Sequence, residues 1–513
     1  MKKFLGKLES KLDSSSSSPS ASSGAPPPSL SSPPSCTQLY RYREQAGVNL
    51  GSWFSLEGWL SPSIFDQNGA PKGSEMDLLE KLGPEKAREV LEKHWDGWVN
   101  EGDWKWMSAQ GINTVRLPLA YYHLLPGSPS SSSLMSRTEY EKYAPAYTAA
   151  WQRVVAAIQT AAKYDIGVLI DLHGAPGAQN GEGHSGLSGG KAGLWDSKDK
   201  QRKTIEILVA LVGEVQQFEN VVGVELLNEP KNSGRLQGFY EEAIKAIRGK
   251  GSDMPLYVSD SWDLSHYSGW AASQSNAGNF IVVDHHLYRC FTPQDHSTPA
   301  TEHAKRCQPG GGGPTWNMLS GAASQLGGSL IIGEWSSALN PGSLQGQDQG
   351  EAQRQWGQAQ MAAYTQSGCG GSMYWTLKKE GKPDAGWCLY TALEQGVLPA
   401  RMGRPSLAKL LGSDVPGKGK QAQDAAFSGH ANYWNSKGAK GDHAAFAQGF
   451  EQGWKDSVAF AQASESLIGF RGQWAKQRAE AWKREGGDGG QAWEFEHGCR
   501  QAIEAFKAAA MQT

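Results

Sequence analysis

The sequence lacks a basic surplus. Its 49 Lys and Arg stand against 52 Asp and Glu, a formal charge of −3, so the electrostatic footprint of a nucleic-acid binder is missing and no nucleic-acid partner is expected. Long apolar runs are also missing: nothing approaches the roughly 20 residues that a membrane-crossing helix needs. The opening "MKKFLGKLESKLDSSSSS" has no apolar segment of the secretory type, and the chain contains no Asn-x-Ser/Thr acceptor. These features favour a cytoplasmic location, with unconventional secretion or the cell surface as alternatives. Cysteine is sparse. Six residues (Cys36, Cys290, Cys307, Cys369, Cys388, Cys499) include no CxxC, which excludes a disulfide framework and suits free thiols. Cys290 and Cys307 flank one loop and are the one pair considered for a bridge. No HExxH is present, and the adjacent His285 and His286 point to opposite sides of a strand; no metal and no cofactor are expected. A glycine-rich phosphate loop is lacking too. "GEGHSG" at 181–186 fits the dinucleotide pattern by letters, but it lies in a long loop and opens no helix.

What is present falls into three parts. Residues 1–45 read as a disordered segment: 13–35 are almost entirely Ser, Pro, Ala and Gly. Residues 1–12 set Phe4, Leu5, Leu8 and Leu12 apart from Lys2, Lys3, Lys7 and Lys11, the pattern either of a frayed tail or of a short helix on a membrane surface. From 46 to 411, short apolar runs alternate with helical patterns. The runs are "GVNLGSWF", "NTVRLPLA", "IGVLIDLHG", "VVGVELLNEP", "PLYVSDS", "FIVVDHHLY", "SLIIGEWSS" and "GSMYWTL". Apolar strands alternating with helices indicate a parallel sheet covered by helices, and eight of them indicate an α/β protein, a (β/α)8 TIM barrel. Residues 412–513 read as a linker, "GSDVPGKGKQAQD", and a small helical region. There "FEQGW" (Phe450–Trp454) and "FEHGC" (Phe495–Cys499) form a weak repeat, with aromatics at core spacing. Sugar binding by its tryptophans is a second reading of that region.

Each run in the barrel begins apolar and ends polar: Arg116, His173, Asn228 with Glu229, Asp260, His286 with Tyr288, Glu334 and Trp375. In a barrel these ends open on one face, where active sites form. Pro230 ends its strand and leaves Glu229 at the lip, while Glu225 lies four residues deeper and reads as a supporting acid. Glu229 and Glu334 thus end different strands. Two such acids suit glycoside hydrolysis, one protonating the leaving oxygen and the other attacking or activating water. Arg116 would keep a carboxylate ionised. His173, His286 and Tyr288 would bond sugar hydroxyls or orient the acids, and Trp375 would form a stacking floor.

These stretches are specific enough to carry a resemblance. "GVNLGSWFSLEGWLSPSIF", "NTVRLPLAYY", "DLHGAPGAQNG", "LLNEP", "VDHHLY", "GEWSSAL" and "YWTLKKE", over roughly residues 45–400, resemble glycoside hydrolase family 5, and within it the fungal exo-β-1,3-glucanases. The resemblance implies a retaining mechanism with Glu229 as acid/base and Glu334 as nucleophile. It implies Asn228 on the sugar 2-hydroxyl, Glu57 as a sugar-binding acid, and Arg116, His173, His286, Tyr288 and Trp375 around the cleaved bond. Two positions depart from it: Leu377, where the group has a second tryptophan that helps shape the pocket, and Ala178, where it often has serine. The expected function is an exo-acting β-1,3-glucan hydrolase that releases glucose, working as a monomer. The alternative is a cytosolic β-glucosidase acting on lipid glucosides such as steryl glucoside or glucosylceramide. A non-catalytic glucan-binding protein is the third reading, disfavoured by the intact pair of acids.

Overall fold

A computed structural model of the chain describes residues 29–124, 134–403, 406–438 and 441–512. Eight parallel strands form a closed barrel in chain order. They are β1 Gln45–Asn49, β2 Thr114–Ala120, β3 Gly167–Gly174, β4 Val221–Glu225, β5 Leu256–Ser259, β6 Ile281–Leu287, β7 Leu330–Trp335 and β8 Gly371–Tyr374. The last strand returns to the first, with Gln45 opposite Gly371 and Val48 opposite Tyr374. The (β/α)8 expectation therefore holds.

The main helices are α1 Cys36–Tyr42, α2 Pro84–Trp98, α3 Ala150–Lys163, α4 Lys198–Val215, α5 Leu236–Arg248, α6 Leu264–Gln274, α7 Pro314–Gln325 and α8 Gln349–Gln366, followed beyond the barrel by α9 Val415–Ser436, α10 Ala444–Ser464, α11 Arg471–Arg484 and α12 Ala492–Met511. Helix α5 illustrates why they cover the sheet. Leu236, Phe239, Tyr240, Ala243, Ile244 and Ile247 recur at helical spacing and are all buried, and Lys245 and Arg248 lie in the last turn, where the helix dipole favours cations. Each large apolar side chain buried this way contributes about 1.5–3 kcal/mol.

The barrel interior is layered. Leu169, Val222, Tyr257, Val282, Ile331 and Met373 form an apolar floor. Above it lies a layer of Asn49, Arg116, Asp171, Glu225 and Asp284, each fully inaccessible to solvent. The period of two along a strand builds these layers: Leu169, Asp171 and His173 on β3, and Val282, Asp284 and His286 on β6. Strand β4 breaks the period. Its register with β3 shifts so that Val168 faces Val221 but Leu169 faces Gly223. A Cβ on Gly223 would lie 2.3 Å from the Tyr257 ring and 2.8 Å from the Pro255 carbonyl. Glycine is needed there, and the irregularity brings Glu225 into the layer three residues after Val222.

The floor is sealed from below. Tyr42 stacks on Phe280 at 5.0 Å and meets Trp474 edge-on at 5.0 Å, and Phe460, Ile468 and Phe470 join the same cluster. Two expectations are corrected here. Residues 36–42, placed in the disordered segment, form a helix: Ser35 and Gln38 make a capping box, and Tyr40 and Tyr42 are buried. The stretch read as a linker after 412 is helical from Val415, because Asp414 caps it by accepting from the Gly417 N–H at 3.0 Å and Pro416 occupies its first turn. Cys290 and Cys307, like the other four cysteines, are free thiols. The membrane-surface reading of residues 1–12 lies outside the described residues. Among the described residues no helix is long and apolar enough to cross a membrane.

The weak C-terminal repeat has a packing cause. Phe450, Trp454, Phe495, Cys499 and Ala502 are buried, as their spacing implies. Gly449 lies against the Phe495 carbonyl and Gly453 against the Cys499 carbonyl, so α10 and α12 run in the same direction. Gly498 in turn lies against the Phe446 carbonyl. The repeated Phe-Glu-x-Gly thus marks two matched close approaches of the helix backbones.

Candidate active site

Arg116, near the middle of β2, is the centre of the buried layer. Its Nε donates to Glu225 at 2.7 Å, Nη1 to Glu334 at 2.8 Å and to Asn49 at 3.1 Å, and Nη2 to Asn228 at 2.8 Å. Nη2 also lies 3.1 Å from Asp171. A guanidinium has five N–H groups, and this one is surrounded by acceptors. It also ties the site together, because its partners come from four strands, Asn49 on β1, Asp171 on β3, Glu225 on β4 and Glu334 on β7, with Asn228 just beyond β4.

The two acids sit just above. Glu334, on β7 opposite His286 of β6, accepts from Arg116 and, through its other oxygen, from the Tyr288 hydroxyl at 2.8 Å. Glu229 follows Asn228 with a left-handed backbone, φ 42°, a sparsely populated conformation for a non-glycine residue that is held here by its surroundings. Asn180 clamps it by donating to its carbonyl at 2.9 Å. Glu229 Oε1 lies 2.7 Å from His286 Nδ1, which is itself 3.5 Å from Glu334. Oxygens of Glu229 and Glu334 and the His286 nitrogen all lie within 4.8 Å of one another.

The charges are unbalanced, with Glu57, Asp171, Glu225, Glu229, Asp284 and Glu334 around one guanidinium, so the site must hold protons. Burial raises Glu225 well above the usual carboxylate range despite Arg116, and burial also raises Glu334, against the opposing charges of His286 and Arg116. Burial disfavours charge on His286, but Glu334 and Asp284 lift it well above an ordinary histidine. That cation in turn holds Glu229 down to about 2, against the effect of its own burial. In the free site these charges favour the proton of the Glu229–His286 pair on the imidazole. Glu57, buried, is pushed up to about 7.

A cleft of about 1140 Å³ opens over these groups. Of the residues singled out by sequence, Glu57, His173, Glu229, His286, Tyr288, Glu334 and Trp375 line it. Arg116 and Asn228 lie beneath, fully buried. His173 hydrogen-bonds Asp171 at 2.6 Å through Nδ1 and stacks on Trp375, 5.8 Å apart and 7° from parallel. Glu57 accepts from Trp59 Nε1 at 2.8 Å. Leu377 is buried in the core and does not line the cleft, whereas Trp59 and Trp387, packed edge-on at 5.2 Å, do. His184, Trp59, Trp262, Phe291 and Trp387 also line the cleft and were not anticipated; they lie on loops, where no strand pattern points to them. Asp171 and Asp284 did leave a signal. Each is an acid inside an apolar run, two residues before a strand-end histidine. Glu229, His286 and Glu334 have the donor set for a metal ion, but Arg116 already donates to Glu334 at 2.8 Å, and its charge would repel a cation there.

A closed barrel whose rim holds two acids across one cleft defines a glycoside hydrolase. Residues 86–381, more than half of the chain, match the family model for cellulase (glycosyl hydrolase family 5), and the chain belongs to that family. Residues 416–510 match the model of the glucan 1,3-beta-glucosidase 3 C-terminal domain. The chain is 32% identical to glucan 1,3-beta-glucosidase 3 of Schizosaccharomyces pombe, over 90% of this chain and 95% of that one. It is 29% identical to an uncharacterized glycosyl hydrolase of Saccharomyces cerevisiae, over 91% and 92%. Among solved structures, the rutinosidase from Aspergillus niger shares the fold at a TM-score of 0.51 and 18% identity, covering 70% of this chain and 98% of that one.

Proposed function

We propose that the chain is a retaining β-glucosidase that removes single glucose units from β-1,3-glucan, with Glu229 as acid/base and Glu334 as nucleophile. The observation that carries this is the proximity of the acids. One oxygen of each lies within 4.8 Å of one of the other's, which supports the short spacing of retaining enzymes, roughly 5–5.5 Å between carboxyl groups, over the roughly 6.5–9.5 Å of inverting ones. Arg116 and Tyr288 both donate to Glu334 and stabilise the carboxylate that attacks C1. As the C1–O bond breaks, Glu229 gives its proton to the leaving oxygen. Water then attacks C1, returns a proton to Glu229 and frees Glu334. The first proton is stored on His286, 2.7 Å from Glu229. Bound sugar expels water, an ion pair loses its solvation, and the neutral Glu229–His286 pair becomes the stable form.

The remaining groups fit one sugar. Asn228 Nδ2 is buried without a partner, which suits the 2-hydroxyl, and Trp375 offers a stacking face. Glu57, Trp59 and Trp387 line the cleft together, and Trp59 donates to Glu57 at 2.8 Å; exo attack rests on the resemblance to the exo-glucanases. The choice of β-1,3-glucan rests on the relatives' names. In this reading residues 46–411 form the catalytic unit of a monomer, and the cytoplasm remains the favoured location. One observation favours a lipid glucoside as the second substrate class: Trp262, Phe291 and Met318 are exposed along the cleft.

The test is hydrolysis of laminari-oligosaccharides beside steryl glucoside in mixed micelles. Glucose as the sole early product, with the β-anomer appearing first by NMR, is expected. Turnover of the micellar glucoside alone would select the second reading, and α-glucose as first product would refute retention. Glu334→Ala should abolish turnover of all substrates. Glu229→Ala should spare the first step only for an aryl glucoside whose leaving group needs no proton.

A further inference from the structure

A second cluster of chemistry-bearing side chains lies away from the cleft, among the C-terminal helices. His430 comes from α9, His443 caps the start of α10 with a left-handed backbone (φ 52°), and Glu494 stands in the first turn of α12. All three are more than nine-tenths buried, His430 and His443 at 5% exposure and Glu494 at 8%. His443 Nδ1 lies 2.9 Å from Glu494 Oε1, and His430 Nε2 lies 3.7 Å from the same oxygen. One nitrogen from each ring and one carboxylate oxygen fall within 4.8 Å of one another.

Hydrogen bonding does not account for this arrangement. Both ring nitrogens of His430 and Nε2 of His443 are buried without partners. A buried nitrogen without a partner is costly, and His430 Nε2, which faces the Glu494 oxygen at 3.7 Å, is the one that a ligand seated between these side chains would satisfy. The His430 ring is fixed by stacking on Phe446 at 4.1 Å, 18° from parallel, so its nitrogens are held rather than free to turn toward water. With metal–nitrogen bonds of about 2.0–2.1 Å, a tetrahedral zinc site places its ligand atoms about 3.3 Å apart. The separations of 2.9 and 3.7 Å bracket that value.

We infer that His430, His443 and Glu494 form a binding site for a first-row divalent cation of the zinc class. Two imidazoles and one carboxylate are a borderline donor set that suits zinc better than magnesium or calcium, which prefer oxygen alone. Three protein ligands leave a fourth position for water, and the neighbouring Trp493 is 46% exposed, so solvent is at hand. The ion ties the ends of α9, α10 and α12 together, which makes its role structural. The spacing 430, 443, 494 matches no sequence motif, which is why no metal was expected from the sequence.

The test uses the full chain, stripped with chelator and dialysed against zinc alone. One equivalent of zinc per chain is expected, with a rise in unfolding temperature that chelator reverses. The double variant H430A/H443A should bind zinc more than about 100-fold more weakly, since even outer-shell changes cost 10–100-fold. Glu494→Gln, which keeps the side-chain shape, should also weaken binding. The bound equivalent must survive Glu229→Gln, which separates it from the acids of the cleft. Cobalt in place of zinc should give the intense visible absorption of a tetrahedral site. No stoichiometric zinc on the wild-type chain, or zinc unaffected by these substitutions, would overturn the assignment; the wild-type measurement stands even if a variant fails to fold.

Discussion

Arg116→Met would leave the buried layer without its cation. Methionine fills a similar volume, so the main effect is electrostatic. Glu334 and Asp171 lose a charge partner at 2.8 and 3.1 Å, and Glu225 loses a hydrogen bond at 2.7 Å. Removing one member of a buried pair costs about 3–5 kcal/mol. The cost here depends on pH, because stranded carboxylates protonate instead of staying charged. A carboxyl that ionises near 4.3 in the unfolded chain but is held protonated in the folded one costs about 1.5 kcal/mol at pH 5.5 and about 4 kcal/mol at pH 7.5. The sign follows directly. Each such group has a folded pKa above its unfolded value, so stability is complete below about pH 4 and is lost as pH rises toward the folded value.

The variant should therefore lose about 2.5 kcal/mol more than wild type, per affected carboxyl, between pH 5.5 and 7.5. Glu225 contributes little to this difference and Glu334 less than the full amount, since burial already raises both in the intact protein. Against a total stability of about 5–15 kcal/mol, the variant should be measurable at pH 5.5 and marginal at pH 7.5. Urea unfolding followed by tryptophan fluorescence at both pH values is the assay. An equal loss at the two pH values would show that Arg116 acts by packing, and the argument for a charged layer would fail.

Three other outcomes follow from the same geometry. Burial opposes charge on His286, but Glu334 and Asp284 raise it well above its ordinary value, so activity should fall only as pH rises far past 6.5; in His286→Asn the alkaline limb of the kcat/KM profile should move to lower pH by at least about one unit. Gly223→Ala should cost about 1–3 kcal/mol in urea unfolding, because its Cβ would meet the Tyr257 ring at 2.3 Å. Asp456→Ala should cost about 3–5 kcal/mol and lower the unfolding temperature, since Arg478, 2% exposed, would keep its charge without its partner at 2.7 Å.

The barrel was legible because its strands are apolar through most of their length and end in polar residues. That one pattern named the strands and the rim, including Glu229, Glu334, His173 and His286. The layer beneath was harder to read. Asp171 and Asp284 obey the same alternation as their histidines, so they could have been placed inside the barrel. Glu225 was read as a supporting acid from its depth, and it is one, bound to Arg116 at 2.7 Å; alternation alone would not have placed it, because the register shift at Gly223 breaks the period and counting in twos from Val222 points Val224, not Glu225, inward. Loop residues such as Trp59, His184 and Trp387 were illegible because their positions depend on how loops from distant parts of the chain meet over the cleft. At the C-terminus composition misled. Glycine and lysine after 412 suggested a linker, whereas the Asp414 cap and Pro416 were the stronger local signal.

The layers also explain why the helices at both ends belong to the site's chemistry. The proton balance of Glu229, His286 and Glu334 is set from below, by Asp284 acting on His286 and by Arg116 acting on Glu334. Those charges act strongly only in a dry environment, because water screens them. The apolar floor of Leu169, Val222, Tyr257, Val282, Ile331 and Met373 is one residue layer thick, and on its far side it packs against Tyr42 of α1 and Phe460, Ile468, Phe470 and Trp474 of the C-terminal region. Removing that cover would expose the floor and let water approach the charged layer. The expected effect on catalysis is a flattened pH dependence rather than a lost substrate contact. That places the C-terminal helices in the electrostatics of the reaction even though none of them lines the cleft.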